Sequence, residues 1–322
     1  MKMDVIALGE LLIDFTGSGS SGQGNPLFEA NPGGAPCNVL AMLAKLGRRT
    51  AFVGKVGDDL FGRMLREAIR DEGIDTSGLV LDPTAHTTLA FVQNTPDGDR
   101  EFSFYRDPGA DELLAPGELP ALLEETRIFH FGSLSLTREP VRAATRAAVE
   151  RAKRAGAVIS FDPNLRASLW RTLDAAKEQM LWGCSVCQVL KVAEEELSFL
   201  TMEEDLDKGA RALRERFPQI ALLLVTRGKD GSVAFWKDLR VEEPGYPVTA
   251  IDTTGAGDTF CGCCLDRVLA WGLDALDEAR LGEMLSFANA AAGLVTTKKG
   301  ALRSMPSPHE IAHHMTEGRD AK

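Results

Sequence analysis

The alternation of short apolar runs with amphipathic segments is the main pattern of this chain. Segments such as "DDLFGRMLREAIRDEG" and "REPVRAATRAAVERAKRAG" carry apolar residues three and four positions apart, which is typical of helices that cover a core. Strands that alternate with helices favour a parallel sheet between helical layers. The pattern predicts a single α/β domain over residues 1–322 with a doubly wound, mostly parallel sheet. The apolar runs with the length of buried strands are residues 4–8, 50–54, 128–131, 158–162, 186–190 and 221–226.

Two segments depart from this rhythm. The first, about residues 11–32, contains the polar stretch "GSGSSGQGNP". The second, about residues 87–109, contains "TTLAFVQNTPDGDREFSFYR", which is typical of two alternating strands joined by an Asp97-Gly98 turn. Together they predict a small β-sheet that would suit a lid over a ligand site. The open edges and apolar face of such a sheet favour a homodimer through the lid.

Composition excludes several classes of protein. The chain has 47 acidic and 36 basic residues and a formal net charge of −11, which disfavours sequence-independent binding to nucleic acid or anionic membranes. It has no apolar run of about 18 residues and no layout typical of a signal peptide. We therefore expect a cytoplasmic protein without nucleic-acid or membrane partners. The six cysteines lie in apolar segments such as "LWGCSVCQVL" and "TFCGCCLDRVL", so we interpret them as reduced core residues rather than zinc ligands.

Three motifs of nucleotide and metal sites need a structural context. "GSGSSG" matches the dinucleotide pattern G-x-G-x-x-G, but "QGNPLF" follows it and predicts a hairpin loop instead of the required helix. "HEIAH", residues 309–313, matches the zinc-peptidase pattern H-E-x-x-H. Ser307 and Glu310 in "SPHE" instead predict a capping box on a surface helix. No Walker loop occurs, so an ATP site would need another phosphate-binding element.

The stretch "DTTGAGDTF", residues 252–260, carries the strongest candidate chemistry. Its glycine turn precedes an apolar helical run, and the exposed amides at the start of a helix attract anions. Asp258 follows in the first turn of that helix. Phosphoryl transfer needs donors around the moving group and an acceptor for the proton of the attacking hydroxyl. An aspartate in the first turn also stabilises a helix dipole, so the residues alone leave both interpretations open.

The same stretch closely resembles the C-terminal signature of the PfkB (ribokinase-like) carbohydrate kinases. "NPGGAPCNVLAMLAKLG" resembles their N-terminal signature, and "VGKVGDDLFG" follows it. The chain is thereby identified as a member of that family, with a ribokinase-like fold and an ATP-dependent sugar kinase activity. The resemblance implies that Asp258 is the catalytic base and that the amides of Gly255, Ala256 and Gly257 form an anion hole.

The resemblance also implies the acceptor and the binding residues. "REFSFYRDPGAD", "FHFGSLSL" and "SFDPNLRASLW" resemble stretches of fructokinases, which favours conversion of fructose to fructose 6-phosphate. The implied sugar-side residues are Asp14, Gly33, Gly34, Asn38, Phe104, Arg106 and Arg166. The implied ATP-side residues are Lys191, Thr226, Gly228, Gly231, Asn289 and Gly300.

Two metal ions belong to the same expectation. Magnesium accompanies ATP, and Glu196 falls in the metal region, although Ala193 stands where the family's N-x-x-E motif carries asparagine. Asp252 and Thr254 fall where many members bind a monovalent cation, which implies a potassium site.

Other interpretations remain open at this point. A 2-keto-3-deoxygluconate kinase would use Arg106 and Arg166 for a carboxylate; such kinases usually have tyrosine where this chain has Phe104, which favours a neutral ketose. Arg106 is alternatively a surface charge, Arg166 a turn cap, and Asn38 a brace of its own turn. A catalytically silent sugar-binding regulatory protein would have lost the base or the glycines, and this chain keeps them.

Overall fold

The computed structural model describes residues 2–94 and 100–320. The predicted Asp97-Gly98 turn lies outside these residues. The strands are β1 (Met3–Leu8), β2 (Leu12–Ser20), β3 (Pro26–Gly33), β4 (Thr50–Gly57), β5 (Ile74–Asp82), β6 (Leu89–Asn94), β7 (Arg100–Tyr105), β8 (Thr126–Gly132), β9 (Val158–Asp162), β10 (Val189–Ala193), β11 (Leu222–Thr226), β12 (Ser232–Trp236) and β13 (Leu239–Glu243).

The helices alternate with these strands. They are α1 (Ala35–Lys45), α2 (Leu60–Asp71), α3 (Val141–Arg154), α4 (Leu173–Val186), α5 (Glu194–Thr201), α6 (Leu206–Arg216), α7 (Ala256–Trp271), α8 (Glu278–Val295) and α9 (Pro308–Asp320).

Nine strands form the main sheet, in the order β13-β12-β11-β10-β9-β8-β1-β4-β5. The strand pairs from β5 to β11 are parallel, whereas β12 and β13 are added antiparallel. Successive residues of a strand point to opposite faces, so Val5 and Ala7 join one core while Ile6 and Leu8 join the other. Helices α1, α2, α7 and α8 pack on the first face and α3 to α6 on the second. The predicted α/β class with a mostly parallel sheet is confirmed.

The predicted strands agree with the main sheet in five of six cases. The prediction for residues 186–190 was wrong, because α4 continues to Val186 and β10 begins at Val189. The patterns of β5, β12 and β13 were not recognised. The β12–β13 hairpin turns at Lys237, which has a φ of 48° where glycine or asparagine would have given the usual signal.

The second sheet has four strands in the order β3-β2-β6-β7. Both excursions contribute one antiparallel pair, and β2 joins β6 in parallel. The "GSGSSG" stretch runs from β2 into a turn and is followed by β3, as predicted, rather than by a helix. On one face, Phe91 stacks on Phe15 with ring centroids 4.9 Å apart and meets the edges or faces of Phe28 and Tyr105 at 5.5 and 5.3 Å.

The cysteines and the "HEIAH" stretch have structural roles. All six cysteines are free and buried, and burial raises the pKa of Cys184 to about 12. At the start of α9, the Ser307 amide donates to Glu310 Oε2 at 2.7 Å and the Glu310 amide donates to Ser307 Oγ at 3.3 Å, which is the predicted capping box. No cluster of three or more His, Cys, Asp or Glu side chains in residues 2–94 and 100–320 is arranged to hold a metal. None of the helices in that part of the chain is long and apolar enough to traverse a bilayer.

Candidate active site

Two cavities open beside the carboxyl ends of the parallel strands, which is where open α/β sheets bind ligands. The first encloses about 360 Å³ between the second sheet, the start of α1 and the ends of β9 and β10. The second encloses about 570 Å³ between the turn after β11, the segment after β13 and helix α8. Thr253 and Gly257 line both cavities. The two cavities therefore meet at the start of α7.

At the start of α7 the backbone lies very close to neighbouring side chains, and two glycines make this possible. Gly255 has a φ of 79°, and a Cβ there would lie 2.5 Å from the Cβ of Ala301. A Cβ on Gly257 would lie 2.8 Å from Lys191 Nζ. The positive end of the helix and a lysine ammonium thus face the same point between the cavities, which favours an anion there.

Asp258 lies in the first turn of α7 and lines the first cavity. Asn38 Nδ2 donates a hydrogen bond to Asp258 Oδ2 at 2.8 Å. Burial raises the pKa of this carboxyl, while the Asn38 hydrogen bond and the positive charges of Lys191 and Arg166 oppose that rise. A buried carboxyl with a perturbed pKa beside an anion site is suited to accept a proton from a hydroxyl ligand.

Lys191 lies on β10, and its Nζ is 3.0 Å from Asp162 Oδ2 at the end of β9. Both side chains are buried. Burial, followed by the nearby Glu196 and Asp258 carboxyls, raises the pKa of Asp162 to about 7. Asp162 and these same carboxyls raise the pKa of Lys191, so it remains an ammonium. Lys191, predicted on the ATP side, lines the first cavity, and its Nζ would lie 2.8 Å from a Cβ on Gly257, which lines both cavities.

Five of the seven predicted sugar-side residues line the first cavity; they are Asp14, Gly34, Asn38, Phe104 and Arg166. Gly33 is not among the described lining residues. A Cβ at Gly33 would lie 2.2 Å from Asp14 Oδ2, so this glycine makes room for the carboxylate rather than for a ligand.

Arg106 differs from its prediction. It is buried, and its Nε and Nη2 donate to Asp111 Oδ2 at 2.8 and 2.6 Å, while Nη2 also donates to the Leu134 carbonyl at 3.1 Å. Leu134 lines the first cavity, whereas Arg106 is not among the described residues that do so. In this structure its ion pair with Asp111 holds the guanidinium behind the cavity wall, so the predicted contact of Arg106 with the acceptor stays a prediction.

Sequence reasoning missed Glu10 and Asn164, which also line the first cavity. Glu10 is only 4% exposed, its Oε1 accepts a hydrogen bond from the Ala35 amide at 3.0 Å, and burial raises its pKa to about 7. The available signal was a carboxylate within the apolar run "LGELLIDF". Asn164 has a φ of 48°, which the turn-forming "DPN" sequence allows.

The second cavity is formed mainly by glycine backbone and apolar side chains. Four of the six residues predicted for the ATP side line it; they are Thr226, Gly228, Gly231 and Asn289. Asn289 Nδ2 donates to the carbonyls of Glu243 and Pro244 at 3.0 and 3.1 Å. The Asn289 side chain therefore fixes the segment after β13 that closes this cavity.

The predicted cation residues have defined protein partners. Asp252 accepts hydrogen bonds from the amides of Thr254 at 2.9 Å and Gly300 at 3.1 Å. Gly300, predicted on the ATP side, is not among the described residues that line the second cavity; its amide anchors the Asp252 turn. Glu196 accepts from the amides of Leu165 at 2.7 Å and Ala193 at 2.8 Å and caps α5.

The comparisons with known proteins agree with this geometry. The model of the pfkB family of carbohydrate kinases matches residues 2–308. Fructokinase-1 of Oryza sativa subsp. japonica is 44% identical over 310 residues, covering 95% of this chain and 96% of that protein. A fructokinase structure from Xylella fastidiosa with bound ATP has a TM-score of 0.89 and 32% identity, covering 99% of this chain and 100% of that one. A fructokinase structure from Vibrio cholerae O395 with fructose, ADP and calcium has a TM-score of 0.86 and 33% identity, covering 97% and 99%.

Proposed function

Since the chain belongs to the pfkB family of carbohydrate kinases, we propose that it is a fructokinase that transfers the γ-phosphoryl group of ATP to fructose and releases fructose 6-phosphate. The fructokinases from Oryza sativa and Xylella fastidiosa support the choice of substrate. The observation that carries the proposal is the meeting of a charged cavity and a glycine-rich cavity at Gly257, with Asp258 beside that point.

In this mechanism Asp258 accepts the proton of the primary hydroxyl of fructose. The hydroxyl oxygen then attacks the γ-phosphorus while the leaving ADP oxygen departs on the opposite side. The amides of Gly255, Ala256 and Gly257 and the ammonium of Lys191 stabilise the negative charge of the transferred group. The Asn38 hydrogen bond orients the Asp258 carboxylate toward the hydroxyl.

Sugar recognition is assigned to the side chains on the walls of the first cavity. Asp14 accepts hydrogen bonds from sugar hydroxyls, and Arg166 donates to the sugar or to the incoming phosphate. Phe104 offers an apolar surface to the ring. All three residues line the cavity that also contains Asp258.

ATP is assigned to the second cavity, where Gly228 and Gly231 bring backbone close to the phosphates and ribose. Magnesium would supply positive charge for the phosphate oxygens of ATP, and Glu196 is the carboxylate of this chain proposed for the metal region. Glu196 acts on that region through the backbone it caps. The turn of Asp252 and Thr254 is assigned to potassium, because it joins the anion site to the Gly300 segment.

A coupled assay of ATP consumption with magnesium tests the function. We expect the highest kcat/KM with fructose among fructose, 2-keto-3-deoxygluconate, ribose, adenosine, glucose and mannose. A preference for 2-keto-3-deoxygluconate would support the alternative kinase. If no sugar is phosphorylated but calorimetry shows that a sugar binds, the result would support the hypothesis of a sugar-binding regulatory protein. Removal of magnesium by EDTA should abolish turnover, and replacement of potassium by sodium tests the monovalent site.

We also place the protein in the cytoplasm as a homodimer whose second sheet acts as a lid on the sugar cavity. Phe28 and Tyr105 on the aromatic face of that sheet are 41% and 66% exposed, and a second copy would cover them. Analytical ultracentrifugation of the wild type and of Phe28→Asp tests this state. A wild type that sediments as a monomer at micromolar concentration contradicts it.

A further inference from the structure

A buried group of charged side chains lies behind the wall of the first cavity, and we call it the Arg106 cluster. Its members are Glu10, Arg106, Asp111 and Glu112, which are 2 to 7% exposed. Two N–H groups of Arg106 bind Asp111, and Arg106 Nη1 lies 3.6 Å from Glu112 Oε1. The mechanism proposed above uses none of these four side chains.

The guanidinium of Arg106 has no nitrogen left over for a ligand. Nε and Nη2 donate to Asp111, Nη2 also donates to the Leu134 carbonyl, and Nη1 donates to Thr137 Oγ1 at 3.3 Å. A carboxylate on a sugar acid would have to displace Asp111 from a buried ion pair. Breaking such a pair is strongly unfavourable, because it leaves a buried charge without its partner. This arginine is therefore unsuited to receive an anionic sugar.

The charges of the cluster do not balance. Glu10, Asp111 and Glu112 supply three carboxyl groups, and the cations that face them are Arg106 and Arg138, whose Nε lies 3.1 Å from Glu112 Oε1. Glu10 is the member that lines the cavity, together with Asp14. When Glu10 is ionised, the surplus negative charge therefore faces the sugar.

We propose that Glu10 is a specificity-determining residue of the sugar cavity, whose buried carboxylate rejects sugar acids while Asp111 and Glu112 hold Arg106 out of the cavity. This inference rests on the proposed function and deepens it, since it assigns the acceptor class to neutral ketoses. Repulsion of the wrong ligand is a common route to specificity. A purely structural Glu10 would only cap the start of α1 through the Ala35 amide.

The ionisation of Glu10 gives the proposal a signature in pH. Burial raises its pKa to about 7, opposed by the charge of Arg106 and reinforced by that of Asp111. Glu10 is thus mostly protonated at pH 6 and ionised at pH 8, so the rejection of an acid should increase over this range. The titratable and charged groups around Glu10 are Arg106, Asp111, Glu112 and Cys37 behind the wall, and Asp14, Arg166, Lys191 and Asp258 on the walls of the same cavity; Lys191 is paired with Asp162.

Two variants separate the charge of Glu10 from its cap. Glu10→Gln keeps an oxygen that can accept the Ala35 N–H but removes the charge, whereas Glu10→Asp keeps the charge on a shorter side chain. We measure kcat/KM for 2-keto-3-deoxygluconate and fructose at pH 8 and take their ratio. Glu10→Gln should raise the acid-to-fructose ratio about tenfold or more, as expected for one charge acting across a partly buried site. Glu10→Asp should leave the ratio within about threefold of the wild type.

A ratio that Glu10→Gln leaves unchanged, or that both variants change equally, overturns the proposal. The pH dependence of this ratio is a second measurement. Titration of Asp258 and Asp162 affects kcat/KM for both substrates, so its effect cancels in the ratio. The wild-type ratio should fall from pH 6 to pH 8, and that of Glu10→Gln should stay flat. If Glu10→Gln does not fold, a wild type that uses 2-keto-3-deoxygluconate as well as fructose at pH 8 overturns the proposal.

The proposed function fails separately. A wild type without turnover on fructose overturns the fructokinase assignment, and the same ratio is then taken from the two dissociation constants by calorimetry. The effect of Glu10 is thus measured as a change between variants, whichever substrate the wild type prefers.

Discussion

The two cavities on either side of Gly257 differ in what forms their walls. The first cavity, proposed for the sugar, brings together ionisable side chains, including Asp14, Asp258 and Lys191, whereas the second, proposed for ATP, is mainly glycine backbone and apolar surface such as Phe260. Charged groups in the first cavity carry perturbed pKa values because they are buried close to one another. Substitutions in the first cavity should therefore change turnover and its pH dependence. Substitutions in the second cavity should change nucleotide affinity and stability.

The largest expected effect comes from removing the carboxylate of Asp258. Asp258→Asn should lower kcat by about 10² to 10⁴, the range typical of a lost general base, with little change in the KM for ATP. Because burial raises the pKa of Asp258, its ionised form destabilises the fold at neutral pH, and the variant should melt at a higher temperature than the wild type. Steady-state kinetics and calorimetry check both results. Near-normal turnover would remove Asp258 from the mechanism.

A pair of glycines tests the ATP-side cavity. Gly231 has a φ of 97°, and a Cβ there would lie 2.1 Å from the Glu243 carbonyl, which also accepts a hydrogen bond from Asn289. Gly231→Ala should therefore lower stability by about 1–3 kcal/mol and raise the KM for ATP about tenfold or more, with a smaller change in kcat.

The matched control is Gly228→Ala. Gly228 also has a positive φ, 54°, and lines the same cavity, but a Cβ there would meet no protein atom within 4 Å and would leave the segment after β13 in place. The Gly228→Ala variant should lose about 1–2 kcal/mol of its free energy of unfolding from backbone strain alone. It should keep most of its affinity for ATP. Equal effects of the two alanines on the KM for ATP would show that the closed segment after β13 does not shape the cavity.

Asn38 tests how the charged cavity sets the pKa of its base. Its hydrogen bond lowers the pKa of Asp258 against the effect of burial. Asn38→Ala should therefore move the acidic limb of kcat to higher pH and lower kcat at pH 7 about tenfold. The profile of kcat against pH distinguishes this from loss of a sugar contact, which would raise the KM for fructose and leave the limb in place.

The smallest effect is on stability. Burial raises the folded-state pKa of Glu10 to about 7 and also raises that of Asp162, so the folded protein binds extra protons at mildly acidic pH. The stability that these protons provide is present at low pH and is lost as the pH rises through 7. The melting temperature should fall by several degrees from pH 5 to pH 8. Glu10→Gln should show a shallower fall in scanning calorimetry, and an identical fall would contradict the raised pKa of Glu10.

The sequence predicted the main sheet well because each parallel strand is a short apolar run bounded by helical patterns. It failed at β10, where "LWGCSVCQVL" is apolar throughout and helix and strand share one run. It also missed β12 and β13, whose turn at Lys237 and Asp238 lacks a glycine. The antiparallel edge of the main sheet was therefore not predictable from turn chemistry.

The candidate site was predicted where a contact lies within one motif and missed where contacts join distant segments. The glycine turn and Asp258 are neighbours in the chain, and they lie together in the structure. The partner of Lys191 is Asp162 on another strand, and only the fold brings them to 3.0 Å. Arg106 and Asp111 are five residues apart without a helix between them, so no periodicity indicated their ion pair.

The buried cysteines have a practical consequence for observing motion. Cys261, Cys263 and Cys264 lie on α7, the helix that begins at the anion site, and burial raises the pKa of each thiol. A thiol reagent can reach them only when that helix separates from its neighbours. Their alkylation rate therefore measures how often α7 separates from its neighbours, without any added label. Substrates that hold α7 in place should lower this rate.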